Sequence, residues 1–314
     1  MKSWADRIGR RLKLRDFHVL MQVVQWGSMA KAAQELGIST PVVSKTIADV
    51  EHTLGVPLLD RHRRGIEPTI YGRALVQRGV VIFDELRQSV NDIESLSHPT
   101  AGEVRIGSTE PLAGGILSAV IERLNRQHPG ISFHVSQGDF ATLQREMRAR
   151  EIDLMIGRTL ESISEEDMDA EVLFNDRLSF IAGRSHRLAA RRKIELADLV
   201  NEQWSLPPDG SVPRVLIDDA FRAAHATPPQ AVVSTFAIQV HISLLATGRF
   251  LAVFPASMLH FSVKHLSIKA LPVDIPMQLS PVVIVKLKNR THSPVAQLFI
   301  DCAHEVAKPL AGRK

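Results

Sequence analysis

Ser28-Met-Ala-Lys-Ala-Ala-Gln-Glu-Leu-Gly-Ile-Ser-Thr-Pro-Val-Val-Ser-Lys-Thr-Ile47 reads as two short helices folded on each other across a glycine. Ser28 is placed to cap the first helix, because a serine hydroxyl accepts from an orphan backbone N–H. Ala32 and Ala33 leave no bulk, so a second helix can approach closely. Gly37 sits where a helix ends in the left-handed region. Ile38 is placed to plug the turn. Ser39 is a second cap, and Pro41 falls in the first turn of the next helix, where its missing N–H costs little. An ordinary surface helical hairpin shares these features. A helix-turn-helix uses them to push its second helix into the DNA major groove.

Val43, Ile47, Val50 and Leu54 recur at helical spacing and predict one apolar stripe on that second helix. Pro41, Ser44, Lys45 and Ala48 then point the other way. A face that slides against base edges is slim and carries donors near its N-terminal end. An earlier helix has Leu14, Phe17, Met21 and Val24 along one face, closed by Trp26 and Gly27. After Val56-Pro-Leu-Leu59 comes Arg61-His-Arg-Arg-Gly65 and then Ile66-Glu-Pro-Thr69. Two short apolar stretches around a basic glycine turn predict a small β-wing, whose arginines suit phosphate oxygens. The alternative for such a charge run is a solvated loop.

Residues 12–98 resemble the N-terminal region of LysR-type transcriptional regulators. The resemblance is carried by Phe17, Ser28, Ala32-Ala33, Leu36, Ser39-Thr40-Pro41, Val43-Ser44, Ile47, Val50-Glu51, Leu54-Gly55, Leu58-Leu59, Arg61, Pro68-Thr69 and Gly72. The family often has Gln at position 40 and Arg at 45. Here they are Thr40 and Lys45, and a lysine cannot make the bidentate guanine contact of an arginine. Ser28, Lys31, Ser39, Thr40, Pro41, Ser44, Lys45, Arg61, Arg63 and Arg64 are the candidate DNA-contacting residues.

The charge map agrees. Residues 1–75 hold 12 Lys and Arg against 7 Asp and Glu, and the remainder holds 26 against 27, so the excess of +4 lies at the N-terminal end. This suits a site-specific binder better than a packaging protein. Cys302 is the single cysteine, which excludes an intramolecular disulfide and fits a reducing compartment. No apolar run reaches the ~18 residues of a membrane span, and the N-terminus lacks the apolar stretch of a signal peptide. A cytoplasmic, nucleoid-associated protein with no membrane partner is expected.

From about Tyr71 to Ser97 one long helix is predicted. Leu75, Gly79, Ile82, Leu86, Ser89, Ile93 and Leu96 alternate steps of four and three, a heptad seam with two weak positions, Gly79 and Ser89. Val76, Phe83 and Val90 widen it. Such a helix either packs on its own domain or pairs with a second copy, and the mechanical need for two recognition helices favours the dimer. His98-Pro-Thr-Ala-Gly102 then breaks the helix and is a hinge candidate.

The rest alternates strands and helices: strands at 103–108, 131–136 and 152–156 with helices at 112–127 and 140–150 between them. A second set follows, with strands at 178–182, 231–234 and 251–254 and helices at 215–224 and 236–247. A strand at 281–287 and a helix at 294–307 return to the first set. The order implies largely parallel sheets with helices on both faces. The expected fold class is α/β overall: a winged helix-turn-helix over 12–69, a linker helix over 70–98, and a two-lobed α/β domain over 101–314. The first lobe covers about 101–173 and 278–314, the second about 174–277. The family resemblance extends here more loosely. It implies an effector domain of type 2 periplasmic-binding-protein architecture, a small organic effector rather than a cofactor, a tetramer assembled through effector domains, and RNA polymerase as a further candidate partner.

Ligands in such sheets bind at strand carboxyl ends beside helix N-termini. Ser108 and Thr109 sit at the first such end and either seat a carboxylate or hydroxyl or simply cap. Phe140 either walls the cleft or packs in the core. Arg158, after Gly157, pairs with an anionic effector or with surface acids. Pro208, in the stiff Pro207-Pro208 loop with Ser211, together with Ser234 and Thr235, would face the cleft from the second lobe. Trp204 with Leu206-Pro207-Pro208 resembles a family branch that senses sugars or aromatic acids. Enzyme motifs are missing: the chain has no G-x-S-x-G, no H-E-x-x-H, no Walker loop and no dinucleotide fingerprint. Gly114-Gly115 opens no phosphate loop, His260 and His265 lack metal-ligand spacing, Glu165-Glu166-Asp167 reads as a solvated loop, and Ser185-His186 has no assigned acid. Two function classes stay open: a ligand-responsive transcription factor, and a cytosolic solute-binding protein that happens to carry a helical hairpin.

Overall fold

The structure is a computed structural model that describes residues 11–62, 65–97, 101–158, 167–261, 267–273 and 280–311. Arg63 and Arg64, the hinge at 98–100, Glu165-Glu166 and His265 lie outside the described residues. The chain divides into two compact units, Met1–Ser89 and Val90–Lys314.

In the first unit, α1 (Leu14–Trp26), α2 (Met29–Glu35) and α3 (Thr40–Leu54) are followed by the strands β1 (Leu59–His62) and β2 (Gly65–Pro68). The long helix α4 (Ile70–Ser97) begins here. Val43, Ile47 and Val50 of α3 are buried against Ala32, Ala33, Val19, Leu20 and Val23. Fully burying each such aliphatic side chain contributes about 1.5–3 kcal/mol. Gly37 (φ +63°) ends α2 in the left-handed region. Its N–H donates to Gln34 O, and Ile38 N–H donates to Ala33 O, which closes α2 and sets the angle to α3. Val19, Leu20 and Val23 are the fully buried residues of α1; of the expected stripe, Phe17 and Val24 pack against the same core, Met21 is half-buried and Leu14 is exposed. Phe17 and Met21 also meet α4. A Cβ on Gly79 would lie 2.9 Å from Met21 Sδ and 3.5 Å from Phe17 Cδ1. Gly79 is therefore a close helix crossing within the unit.

The second unit runs β3 (Gly102–Ser108), α5 (Glu110–Leu112), a π-helical turn at Ala113–Leu117, α6 (Ser118–Gln127), β4 (Ile131–Gln137), α7 (Phe140–Arg148), β5 (Leu154–Arg158) and β6 (Met168–Asp176). It continues with β7 (Leu178–Gly183), β8 (Gln203–Leu206), α8 (Val212–Ala223), β9 (Ala231–Ser234), α9 (Ile238–Ala246), β10 (Phe250–Pro255), α10 (Ala256–Phe261) and β11 (Ile268–Ala270). It ends with β12 (Ser280–Leu287) and α11 (Pro294–Ala311). The strands form two five-stranded sheets, ordered β4-β3-β5-β12-β6 and β11-β7-β10-β8-β9. Helices cover both faces of each, so each sheet has apolar layers on two sides.

Each sheet is largely parallel, as expected, with one reversed strand. β3, β4 and β5 run parallel, but β12 is antiparallel to β5 and β6. β8, β9 and β10 run parallel, but β7 is antiparallel to β10 and β11. The reversed strands include those that carry the chain between sheets: β7 arrives from the first and β12 returns from the second. β6, β8 and the short β11 escaped the sequence reading. β6 holds Asp169 and Glu171, which break its apolar pattern. Both carboxylates face Lys286 of β12, and Glu171 also meets His304 of α11 at 3.2 Å.

Candidate nucleic-acid interface and effector site

The outer face of α3 carries Pro41, Lys45 and Ala48 exposed and Ser44 half-buried, opposite the buried stripe. Ser39 takes the N-cap position, but its hydroxyl makes no capping hydrogen bond, unlike Ser28, whose Oγ accepts from Lys31 N–H at 3.4 Å. Thr40 and Lys31 are exposed. The N-terminal end of α3 therefore presents side chains that the fold does not use, beside a helix terminus that favours negative charge.

The wing is real. β1 and β2 are antiparallel, with Leu59 opposite Pro68 and His62 opposite Gly65, and Arg61 is exposed on the way to its tip. Two ties fix the wing to the helices. Ile66 N–H donates to Gly27 O at 3.0 Å. Glu51 of α3 accepts from Leu58 N–H at 2.7 Å and Leu59 N–H at 3.2 Å. Glu51 thus joins the back of α3 to the root of β1, a physical reason for that carboxylate among the residues that carry the family resemblance.

The predicted effector residues separate into two groups. In the first sheet, Ser108 is buried and donates to Thr109 O at 3.2 Å, while the Thr109 hydroxyl makes no capping bond. Phe140 packs beside the apolar layer of α7, where its ring would meet a Cβ on Gly157 at 2.8 Å. Arg158 does not reach a surface acid. Its Nη2 donates to Asp176 Oδ2 at 2.8 Å, since β12 places Val282 beside Arg158 and Ser280 beside Asp176. Burial pulls the Arg158 guanidinium below its ordinary range, against the opposing pull of Asp176.

In the second sheet, Thr235 Oγ1 accepts from Ala237 N–H at 3.0 Å, so its hydroxyl stabilises a local turn. Pro208 O accepts from the Ser211 hydroxyl at 2.6 Å, and Ser234 is exposed at the end of β9. Trp204 is not at a ligand surface. It is fully buried, edge-on to Phe180 and Phe221, with its indole N–H donated to Leu199 O at 3.1 Å. Sequence reasoning missed Ser205 and His241. Ser205 Oγ lies 2.7 Å from His241 Nδ1, and His241 Nε2 lies 3.1 Å from Thr235 O. Burial depresses the His241 pKa, so the ring stays neutral with Nε2–H donating and Nδ1 accepting. Ser185-His186 does have an acid partner, Glu202, 3.4 Å from His186 Nε2. Among the described residues no cluster suits a metal ion, and no helix is long and apolar enough to cross a membrane.

Comparison with known proteins gives one consistent answer. Residues 14–73 match the family of bacterial regulatory helix-turn-helix proteins of lysR type, and residues 97–308 match the LysR substrate binding domain. The chain is 28% identical over 288 residues to the HTH-type transcriptional regulator GbpR of Azospirillum brasilense, covering 91% of this chain and 84% of that protein. It is 27% identical over 293 residues to the transcriptional dual regulator GltC of Bacillus subtilis, covering 92% and 96%. Similar solved structures include a full-length OxyR variant from Pseudomonas aeruginosa (TM-score 0.67, 19% identity, 96% and 99% covered). CbnR, a LysR family transcriptional regulator, is comparable (TM-score 0.66, 18% identity, 94% and 99% covered). These relatives are regulators rather than enzymes, and nothing among them supports a solute-binding protein without a DNA role.

Proposed function

The chain belongs to the LysR family of bacterial transcriptional regulators, DNA-binding proteins with a substrate-binding effector domain, and from that premise we propose how its own residues divide the work. Thr40, Pro41, Ser44 and Lys45 of α3 enter the major groove and read base edges. Ser28, Lys31 and Ser39 at the neighbouring helix ends, with Arg61, Arg63 and Arg64 of the wing, grip phosphates. The observation that carries this reading is the division of α3 into a fully buried stripe and an outer face without structural duties. Two copies pair through α4, and two such dimers form a tetramer through their effector domains. An organic effector bound near Ser108, Thr109, Phe140, Arg158, Pro208, Ser234 and Thr235 favours one DNA-bound geometry over another, since a ligand shifts an equilibrium only by differential affinity. The regulator works in the cytoplasm on the nucleoid, where RNA polymerase is its further partner.

A gel-shift titration against the DNA upstream of the protein's own gene tests the division. Nanomolar-scale binding that weakens steeply with salt is expected. Lys45→Ala removes a base contact worth about 1–3 kcal/mol, so it lowers operator affinity roughly tenfold and leaves random DNA nearly unchanged. Arg61→Ala weakens both DNAs alike and flattens the salt dependence. Equal losses on both DNAs from Lys45→Ala would show that α3 grips without reading.

A further inference from the structure

Arg158 ends β5, and its side chain is only 10% exposed. Nη2 is bonded to Asp176, but Nη1 is buried with no hydrogen-bond partner among the described residues. Asp176 is 4% exposed and is held from the other side by Ser257, whose N–H donates to Oδ1 at 3.2 Å and whose hydroxyl donates to Oδ2 at 2.6 Å. Three parts of the fold meet at this point: the carboxyl end of β5, the last residue of β6, and the first turn of α10. It is also where the chain crosses between sheets, with Ala256 N–H donating to Arg177 O at 2.8 Å. Ser108, the end of the next parallel strand, pairs in register with Ile156, two residues before Arg158.

A purely internal ion pair has no reason to leave a guanidinium nitrogen buried and unmatched, since an unsatisfied buried donor costs about 1–3 kcal/mol. An acceptor oxygen on a ligand removes that cost. The charge on Arg158 is already balanced, so a second carboxylate at Nη1 would face Asp176 across a poorly solvated site, where like charges repel strongly. A hydroxyl group has the right duality: its oxygen accepts from Nη1, and its proton can go to a free lone pair on Asp176 Oδ1.

Resting on the reading of the C-terminal unit as an effector domain, we propose that Arg158, Asp176 and Ser257 form a recognition point for an uncharged, hydroxyl-bearing effector such as a sugar or polyol, and that Asp176 excludes simple carboxylates. This departs from both alternatives read from the sequence for Arg158, an anionic effector or surface acids. The cluster joins both sheets at their crossover, so a hydroxyl bound there acts directly on the place where the chain passes from one sheet to the other.

The test uses the full-length protein with D-galactose, D-glucose and myo-inositol as neutral probes and acetate and benzoate as anionic ones, followed by thermal shift and calorimetric titration. In the unaltered protein at least one neutral probe raises the melting temperature, and the two carboxylates do not. Asp176→Asn keeps the size and an acceptor for Ser257 but uncovers the Arg158 charge, so it binds acetate at least about tenfold more tightly than the unaltered protein. If Asp176→Asn does not fold, Arg158→Gln carries the test, because it abolishes the response to the neutral probe. The proposal is overturned if the unaltered protein prefers carboxylates, if no neutral probe binds, if a folded Asp176→Asn gains no acetate affinity, or if Arg158→Gln keeps the neutral response. Operator gel shifts on the same samples keep the two readings apart: intact DNA binding with any of these failures removes only the effector class, whereas absent operator binding removes the regulator reading itself.

Discussion

Gly72→Ala is expected to abolish operator binding while the C-terminal unit stays folded. Position 72 lies in the first turn of α4, where alanine would ordinarily gain about 1 kcal/mol over glycine. Here the sign reverses. A Cβ would fall 2.0 Å from the carbonyl oxygen of Leu58 and 3.2 Å from Pro68 Cβ. The obstacle is backbone and cannot rotate away. Leu58 is held by Glu51 on one side and accepts from Thr69 N–H at 2.9 Å on the other. Thr69 in turn donates to Pro57 O at 2.7 Å and accepts from Gly72 N–H at 3.1 Å. Relief therefore requires α4, the β1 root and the back of α3 to separate, at a cost on the order of 3 kcal/mol or more. A unit of this size has only about 5 kcal/mol to lose. Circular dichroism should show early melting of part of the helical signal, and gel shifts should show no complex. Gly114→Ala is the control, since its Cβ would meet nothing within 4 Å, and it should bind the operator normally. Normal binding by Gly72→Ala would mean that this crowding does not govern the wing and recognition helix.

The second large effect is expected from the double change Leu86→Glu and Ile93→Glu. The heptad seam splits into two parts with different duties. Leu75 and Val76 pack on the core of the helix-turn-helix, and Gly79 admits Met21. Leu86, Val90 and Ile93 follow at steps of four and three and are 41%, 55% and 65% exposed. Apolar residues left uncovered in a row on a long helix fit pairing with a second copy. Two glutamates there leave each chain folded but break the pair. The second half-site then loses its high effective concentration, so operator affinity falls by about 10²–10⁴. Sedimentation velocity should report the loss of the dimer in the same samples. A variant that stays dimeric with unchanged operator affinity would remove α4 as the pairing element.

The N-terminal unit was largely legible because its signals are local. Gly37, Pro41 and the Val43–Ile47–Val50 stripe each act within a few residues of where they stand. One contact of the α1 face was not legible for a non-local reason: α4 passes over Phe17 and Met21 at Gly79, more than fifty residues later in the chain. In the C-terminal unit the buried parallel strands showed as apolar runs, but β6, β8 and the three-residue β11 did not. β6 carries acids whose partners, Lys286 and His304, lie over a hundred residues away, and β8 is only four residues long. The alternation of strands and helices gave the common direction of most strands, but not the single reversed strand in each sheet, because it says nothing about the chain leaving one sheet and returning. The same gap hid Asp176 and Ser257. Each looks like an ordinary loop polar residue until the crossover brings both to Arg158.

Methylation interference on the operator gives the most direct test that two copies of α3 read DNA from the major groove. Guanine N7 projects into that groove, where a methyl group blocks a side chain. Two clusters of blocked guanines are predicted on one face of the duplex, separated by about one helical turn or a whole multiple of it, with Lys45→Ala weakening the interference at both. Binding that ignores N7 methylation, or a single cluster with no second one in phase, would contradict the paired-helix account.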